Sequence, residues 1–315
     1  MRDLINESIR VFVGLLKIML PISIVVRVLQ QTNVIEYLGQ ALGPLVLLIG
    51  LPPEAALVWV NTLITNIYGG MITFHALGLG NTLSVAQTSV LCQLMLVAHT
   101  FPIELTVARK AGIPLLSMFL WRFGLAILSA GFLYTSLSFF DLLNSPVQLP
   151  ESMTLPGSIN DGWSDWLYHE LHRYVLVFMV VFVLMLLMRA LKMTGFLDAF
   201  SLWLKPVMDW LGIHSSVIPI TVVGMSLGIL YGGALMIEEI RKNTLAPKDV
   251  FYAFCLMGLC HSIIEDSLLM MSLGANGYVV FLYRPVWALL TLFVALRLFE
   301  KLPQNWLAKI VSRNQ

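Results

Sequence analysis

Charged side chains are scarce in this sequence. Only 12% of its 315 residues are charged and 58% are hydrophobic, whereas about 25% of the residues in soluble domains are charged. This deficit excludes water as the main solvent of the chain. Hydrophobic stretches at residues 11–29, 175–191 and 278–296 are each long enough to cross a hydrocarbon layer of about 30 Å. The sequence therefore predicts an all-α integral membrane protein that crosses the lipid bilayer several times.

Other features that the sequence lacks narrow the range of possible functions. The three cysteines, Cys92, Cys255 and Cys260, all lie in apolar sequence, which favours small buried side chains over a disulfide framework. The formal net charge is only +1, and no basic stripe predicts a nucleic-acid partner. The sequence has no His-Glu-x-x-His motif of the zinc peptidases. We therefore expect a protein that is not an enzyme, although a membrane enzyme with histidine and carboxylate acid–base groups is a second hypothesis.

Ionisable residues recur along the chain at a constant spacing of 162 positions. The recurring pairs are Arg27 with Arg189, His99 with His261, Glu104 with Asp266, and Arg122 with Arg284. The triplet Tyr68-Gly69-Gly70 recurs 163 positions later as Tyr231-Gly232-Gly233. Such order predicts an internal duplication. We predict a first repeat at residues 1–140, an extracytoplasmic connection at residues 141–171 and a second repeat at residues 172–315.

The distribution of basic residues predicts that the two repeats have opposite orientations. The connection contains several carboxylates but no Lys or Arg before Arg173, so it belongs outside, because short cytoplasmic loops retain Lys and Arg. Arg109-Lys110 marks a cytoplasmic loop in the first repeat, whereas Arg241-Lys242 marks a different loop in the second. This exchange is typical of inverted-topology repeats. It places both termini in the cytoplasm of a multi-pass protein of the inner (cytoplasmic) membrane.

Each repeat is predicted to contain about five helical segments. A long span comes first, followed by an amphipathic stretch at residues 34–48 or 196–211, which is interrupted by Pro44 or Pro206. The middle segments, at residues 54–77 and 216–243, are predicted to be broken or re-entrant at Tyr-Gly-Gly. Two closing spans end each repeat, at residues 84–109 and 113–136 and at residues 248–273 and 278–299. Broken backbone at membrane depth requires cover by protein or a cavity, so the breaks mark the expected solute path.

This order of features resembles the Gate, or nucleoside-recognition, domain. The resemblance rests on the stretch from Gly195-Phe196-Leu197-Asp198 to Leu204-Lys205-Pro206, on the Gly-Gly pair near residue 232 and on the segment through His261. It covers both repeats, from about Arg10 to Phe299, so the chain resembles a fused pair of spore maturation proteins A and B. The membrane region of the ferrous iron transporter B is similar, but its motor is absent, since the sequence lacks a Gly-x-x-x-x-Gly-Lys-Ser/Thr loop. The resemblance implies membrane transport without fixing the solute.

The strongest candidate site residues are ionisable groups inside the apolar segments, where charge is costly and usually functional. The first repeat offers His99 and Glu104, which Pro102 can bring together by kinking the chain. The second offers His261 and Glu265, predicted to be neighbours on one helix face, and Asp266. Histidine and carboxylate ligands suit divalent transition metals, and His99, Glu104, His261 and Asp266 form the predicted metal set. The same groups can relay protons, or simply hold helices together.

A second set of candidate residues is polar but uncharged. It surrounds the first predicted break and consists of Asn61, Thr65, Asn66 and Tyr68, with Tyr231 at the second break. Hydrogen bonding between helices is an equally good explanation of these side chains.

Together these features predict a secondary-type transporter of a small solute or ion, either a divalent cation or a proton-coupled solute. The alternatives are a transporter of nucleosides or another small organic solute and a non-transporting membrane assembly factor. No cofactor is assigned apart from a divalent metal or proton as cargo or coupling ion, and a homo-oligomer is left open.

Overall fold

The computed structural model describes residues 43–149, 162–211, 216–242 and 245–301, with isolated positions between 20 and 37 and at 213, 303, 310 and 311. These parts of the chain are helical, and their β-structure is limited to one bridge between Ser84 and Pro146. The prediction of an all-α protein is confirmed for them. The first predicted span, at residues 11–29, and the stretch at residues 34–48 lie largely outside the described residues.

Five α-helices follow a short helical stretch at residues 43–47 in the described part of the first half. They are α1 (Ala55–Ile64), α2 (Ile67–Ala76), α3 (Val85–Val97), α4 (Phe101–Lys110) and α5 (Leu115–Phe139). Ser84 and Gln87 form a reciprocal capping box that starts α3. Asn66 starts α2 in the same manner, because its side chain accepts a hydrogen bond from the backbone N–H of Gly69. The sequence thus specifies locally where α2 and α3 begin.

The second half continues the helical pattern. It contains α6 (Trp163–Met193), α7 (Phe196–Trp210), α8 (Ile218–Leu227), α9 (Ile229–Arg241), α10 (Pro247–Leu259), α11 (Glu265–Ser272) and, after a π-helical turn at Val279–Tyr283, α12 (Arg284–Phe299). The predicted stretch at residues 196–211 corresponds to α7, but its expected interruption is wrong, since the helix continues through Pro206.

The helix boundaries of the two halves match each other. Helices α1 and α8 begin and end 163 positions apart, and α3 and α10 do so at 162 positions. Helices α2, α4 and α5 have counterparts in α9, α11 and α12. The division into repeats with these limits and their inverted orientation remain predictions.

The Tyr-Gly-Gly triplets do not break their helices, which corrects the predicted position of both breaks. Helix α1 ends before Thr65, ahead of the first triplet, and α8 ends at Gly228, ahead of the second, so both triplets lie inside the following helix. The glycines permit close helix packing instead. A Cβ atom added to Gly232 would lie 2.5 Å from the Cα of Gly224, and one added to Gly70 would lie 1.9 Å from Thr62 Oγ1.

Three helical segments of the described chain are long and apolar enough to cross a membrane, namely Val85–Lys110, Leu115–Phe139 and Val279–Phe299. The first corresponds to the span predicted at residues 84–109, and it consists of α3 and α4, which are separated by a short non-helical turn at His99 and Thr100. Its repeat counterpart, expected at residues 248–273, is likewise divided into α10 and α11. Both interruptions lie beside the ionisable residues. The predicted span at residues 175–191 lies within α6.

Helices α3 and α10 form the centre of the molecule. Every residue from Thr88 to Val97 in α3 and from Val250 to Leu259 in α10 is buried. The three cysteines are buried and unpaired, as the sequence predicts. The two central helices end at the interruptions beside His99 and His261, both of which are buried inside the protein.

Candidate functional site

The interruptions after α3 and α10 have the same backbone geometry. Thr100 has a φ of 51° and Ser262 a φ of 44°, a left-handed conformation that a β-branched residue such as Thr rarely adopts. The N–H of Thr100 donates to the carbonyl of Thr62 (3.0 Å), and that of Ile263 donates to the carbonyl of Met225 (3.0 Å). Each interruption is therefore hydrogen-bonded to the C-terminal part of α1 or of its counterpart α8. Strained backbone held in this manner is typical of functional sites.

The two histidines project from these interruptions toward each other. His99 Nδ1 lies 2.8 Å from the carbonyl oxygen of Met95, and His261 Nδ1 lies 2.8 Å from that of Met257. A carbonyl only accepts hydrogen bonds, so Nδ1 carries the proton on both rings, and Nε2 of each neutral ring has a free lone pair. The two Nε2 atoms are 2.9 Å apart. Facing lone pairs at this distance repel each other, so the geometry favours a proton or a cation shared between the rings.

Glu104 brings negative charge to the same point. Its Oε1 atom lies 3.4 Å from His99 Nε2 and 3.3 Å from His261 Nε2, while its Oε2 atom forms an ion pair with Arg122. Asp266 offers a further carboxylate oxygen, within 4.8 Å of ligand atoms on both histidines. Its Oδ2 atom has no hydrogen-bond partner among the described residues. All four side chains are at most 8% exposed. We call His99, His261, Glu104 and Asp266 the central cluster.

The distances within the central cluster suit a metal ion. Two ligands at the tetrahedral angle on Zn²⁺, with bonds of about 2.0–2.1 Å, are separated by about 3.3–3.4 Å. The two Nε2–Oε1 distances match this value, and the Nε2–Nε2 distance needs to open by only a few tenths of an ångström. The Nδ1–carbonyl bonds supply the outer contacts that orient histidine ligands. These residues could therefore hold a first-row divalent ion, or share one proton.

Two arginines satisfy the backbone beside the cluster. Arg122 Nε donates to the carbonyl of Val97 (3.1 Å), and Arg284 Nε donates to the carbonyl of Leu259 (3.2 Å). These acceptors are the last residues of α3 and α10, where helical carbonyls lack intrahelical partners. Arg284 also donates to the carbonyl of His261 (2.8 Å). Both arginines are completely buried, and Arg122 also pairs with the carboxylate of Glu104.

The remaining ionisable candidate, Glu265, points elsewhere. His261 precedes α11 and lies outside the helix, so the predicted helical pairing of His261 with Glu265 is wrong. Glu265 Oε1 instead accepts a hydrogen bond of 3.4 Å from the hydroxyl of Tyr68. This contact connects α2 of the first half to α11 of the second.

The uncharged candidates mainly support the hairpin of α1 and α2. Asn61 Nδ2 donates to the carbonyl of Gly69 (3.1 Å) and to Thr73 Oγ1 (2.6 Å). Thr65 Oγ1 donates to the carbonyl of Asn61 (2.7 Å), and Asn66 caps α2. These bonds agree with the structural explanation of this set. The side chain of Tyr231 lies outside the described residues.

One sequence pattern of enzymes lacks its required context. Gly224-Met225-Ser226-Leu227-Gly228 has the Gly-x-Ser-x-Gly spacing of a nucleophile elbow, which requires a strand-to-helix turn. Ser226 lies near the end of α8, between two helices. The pattern therefore gives no support to a serine nucleophile.

Sequence reasoning did not identify Gln93 as a candidate. Gln93 lies on α3 and is completely buried, with Nε2 donating to Ser129 Oγ (2.9 Å) and Oε1 without a partner among the described residues. A lone amide inside an apolar helix was the available signal. Buried polar side chains are normally hydrogen-bonded, so an amide inside an apolar helix is expected to have a polar partner.

Comparisons with known proteins agree with the resemblance. The Gate family, described as nucleoside recognition, matches residues 12–114. The chain is also similar to the uncharacterized membrane protein YvoD of Bacillus subtilis (strain 168), with 29% identity over 282 residues that cover 88% of this chain and 85% of the relative. No solved structure matches the chain. Residues 12–114 therefore match the Gate family, and the chain is a membrane protein.

Proposed function

We propose that this protein is a secondary-type transporter of a first-row divalent metal ion and that the central cluster is the site where the ion binds. The single observation that carries the proposal is the convergence of the Nε2 atoms of His99 and His261, 2.9 Å apart, on one carboxylate oxygen of Glu104. Ion and proton pathways in membrane proteins use buried groups of this kind.

The charge of the cluster supports a cation as cargo. Glu104 is already neutralised by Arg122, whereas Asp266 Oδ2 has no hydrogen-bond partner among the described residues. A divalent ion would gain two neutral imidazoles and carboxylate oxygen from both halves of the protein, a ligand set that suits zinc and its neighbours. Because protons compete for the same Nε2 atoms, binding of the ion would release or exclude a proton. Exchange of a metal ion for a proton follows naturally from this competition.

The experiment that tests the function is uptake into proteoliposomes. We expect vesicles containing the purified full-length chain to accumulate Zn²⁺, reported by an enclosed fluorescent chelator, faster than protein-free vesicles. External chelation before the assay should abolish the signal. Equal rates in the two vesicle preparations, with insertion of the chain verified, would contradict the proposal.

Nucleoside transport is the second candidate, because the family that matches residues 12–114 is described as nucleoside recognition. The same vesicles can be tested with a radiolabelled nucleoside. Nucleoside uptake that persists after metal chelation, in the absence of Zn²⁺ uptake, would favour this alternative over the metal.

We further propose inverted repeats, with both termini in the cytoplasm of the inner membrane. Helix α5 separates Lys110 from Asp141, so these positions lie on opposite sides of a membrane that α5 spans. We expect a membrane-impermeant thiol reagent to label a cysteine placed at position 158 in intact cells. Cysteines introduced by Lys110→Cys and Lys242→Cys should react only after permeabilisation. Labelling of Lys242→Cys in intact cells would reverse the proposed orientation of the second half.

A further inference from the structure

A polar cavity of about 340 Å³ lies between the start of α3 and the end of α5. Its polar lining consists of Ser84, Gln87, Tyr134, Ser138, Asp141 and Asn144. Under the proposed orientation it opens on the extracytoplasmic side, because Asp141 begins the connection between the repeats. It is separate from the central cluster, none of whose residues line it.

The cavity is built into the fold. Gly50, which lines it, has a φ of 72°, and a Cβ atom at this position would lie 2.0 Å from the ring of Tyr134. The carbonyl of Gly50 accepts a hydrogen bond of 3.0 Å from Gln87 Nε2. Glycine is thus required at position 50 both by its backbone conformation and by the close approach of the tyrosine ring.

Two polar contacts lie between this cavity and the central cluster, along the contact between α3 and α5. Val90 lines the cavity, and Gln93 lies one turn further along the same face of α3. Gln93 contacts Ser129 of α5. One further turn along α3 reaches Val97, whose carbonyl accepts from Arg122, the partner of Glu104. From Gln87 to Val97 this line covers about 15 Å.

Gln93 has a free group in the middle of this line. Ser129 satisfies one end of its amide, and the other end has no partner among the described residues although the side chain is completely buried. A free buried carbonyl oxygen is costly for folding. It is also a neutral oxygen ligand, which lowers the cost of removing water from a cation without holding the ion as tightly as a carboxylate does.

The amide of Gln93 is not repeated in the second half. At the spacing of 162 positions, Gln93 corresponds to Cys255, which is completely buried, whereas Gln87 and Ser129 correspond to the polar residues Asp249 and Thr291. The amide is therefore a specific property of the first half and not a by-product of the duplication.

From these observations we infer that the cavity and Gln93 form the extracytoplasmic access path of the metal ion, with the amide oxygen of Gln93 binding the ion between the cavity and the central cluster. This inference rests on the proposed function, since it concerns the route to the same site. Gln93 acts here as a transit ligand for a divalent cation, and it does not belong to the central cluster.

The test combines accessibility with transport. We expect a membrane-impermeant cationic methanethiosulfonate reagent to modify the Gln87→Cys and Gln93→Cys variants of the full-length protein. The native Cys92 is the matched control, because it neighbours Gln93 in α3 but its Sγ faces the carbonyl of Met270. The unsubstituted protein should take up no label. Absence of label at Gln93→Cys, in a variant that inserts and transports, overturns the path.

Transport supplies a second readout. We expect Gln93→Leu to slow Zn²⁺ uptake about tenfold while the equilibrium affinity for Zn²⁺ in detergent stays within about twofold, since the central cluster is intact. Cys255→Leu, at the repeat counterpart, should leave both quantities unchanged. Normal uptake by Gln93→Leu would refute the inference and leave the proposed function standing. If the unsubstituted protein binds no Zn²⁺, the proposed function fails, and labelling then decides separately whether a water-filled path exists.

Discussion

Replacing His99 and His261 together with glutamine should abolish high-affinity Zn²⁺ binding. Glutamine retains a polar side chain of similar length but cannot supply the two Nε2 lone pairs that converge at 2.9 Å. Loss of groups that only orient metal ligands typically lowers affinity by about 10–100-fold, so loss of both ligands should cost roughly 100-fold or more. Isothermal titration calorimetry on metal-stripped protein in detergent measures this change directly.

The matched control is His75→Gln. His75 lies in the last turn of α2 and is not a member of the central cluster, so its replacement should leave the affinity for Zn²⁺ unchanged. The single variants His99→Gln and His261→Gln should each lose most of the affinity, because residues that share one ligand act together and their effects do not add. Undiminished binding by the double variant would show that the histidines only hold the helices together.

Acidification should weaken Zn²⁺ binding in the unsubstituted protein. Protons compete with the ion for Nε2 on both rings, whereas Nδ1 is already occupied by its bond to the carbonyl of Met95 or Met257. If the cargo is instead a proton shared by the two rings, the protein would bind no Zn²⁺ at any pH. The same histidine variants would then abolish proton uptake. A titration of Zn²⁺ binding against pH therefore distinguishes the two interpretations of the cluster.

The sequence is informative about which residues meet and less informative about how the chain turns between them. The recurrence of histidine and carboxylate at a fixed spacing predicts the central cluster, because an ionisable group in an apolar segment must find a polar partner inside the protein. His99, His261, Glu104 and Asp266 do come together. What they bind remains a prediction.

The backbone breaks are less predictable because glycine has two uses in membrane helices. A Gly-Gly pair can interrupt a helix or allow a neighbouring helix to approach closely. Gly232 allows close approach, since it packs against Gly224. The sequence therefore predicts correctly that the hairpin contains a break, but it does not predict at which residues. The interruptions at His99 and His261 are stabilised by arginines from α5 and α12. Such long-range contacts leave no local pattern in the sequence.

Gln93 and Glu265 show the same limitation for side chains. A single glutamine in an apolar helix does not indicate the direction in which it points, and only the packing of α3 against α5 places it beside Ser129. The sequence suggested a helical pairing for Glu265, but the break before α11 turns this side chain toward Tyr68. Periodicity arguments fail wherever the helix that they assume is interrupted.

Removing the guanidinium of Arg122 should destabilise the protein more than replacement of any exposed charged residue. Arg122 is completely buried, pairs with Glu104 and donates to the carbonyl of Val97. The Arg122→Leu variant leaves a buried carboxylate and a helix-terminal carbonyl without their partner, and breaking a buried ion pair typically costs about 3–5 kcal/mol. Thermal unfolding in detergent, followed by intrinsic tryptophan fluorescence, should show a Tm lower by several degrees.

Two further variants separate the loss of the pair from the loss of packing. The double variant Arg122→Leu, Glu104→Leu removes both charges, so it should recover part of the lost stability, because paired apolar side chains often replace a buried ion pair at little cost. Lys242→Ala removes an exposed ion pair with Glu239 (2.7 Å) and should leave Tm unchanged, since solvent-exposed pairs contribute little. If Arg122→Leu unfolds at the same temperature as the unsubstituted protein, the ion pair with Glu104 does not stabilise the fold, and the expectation is contradicted.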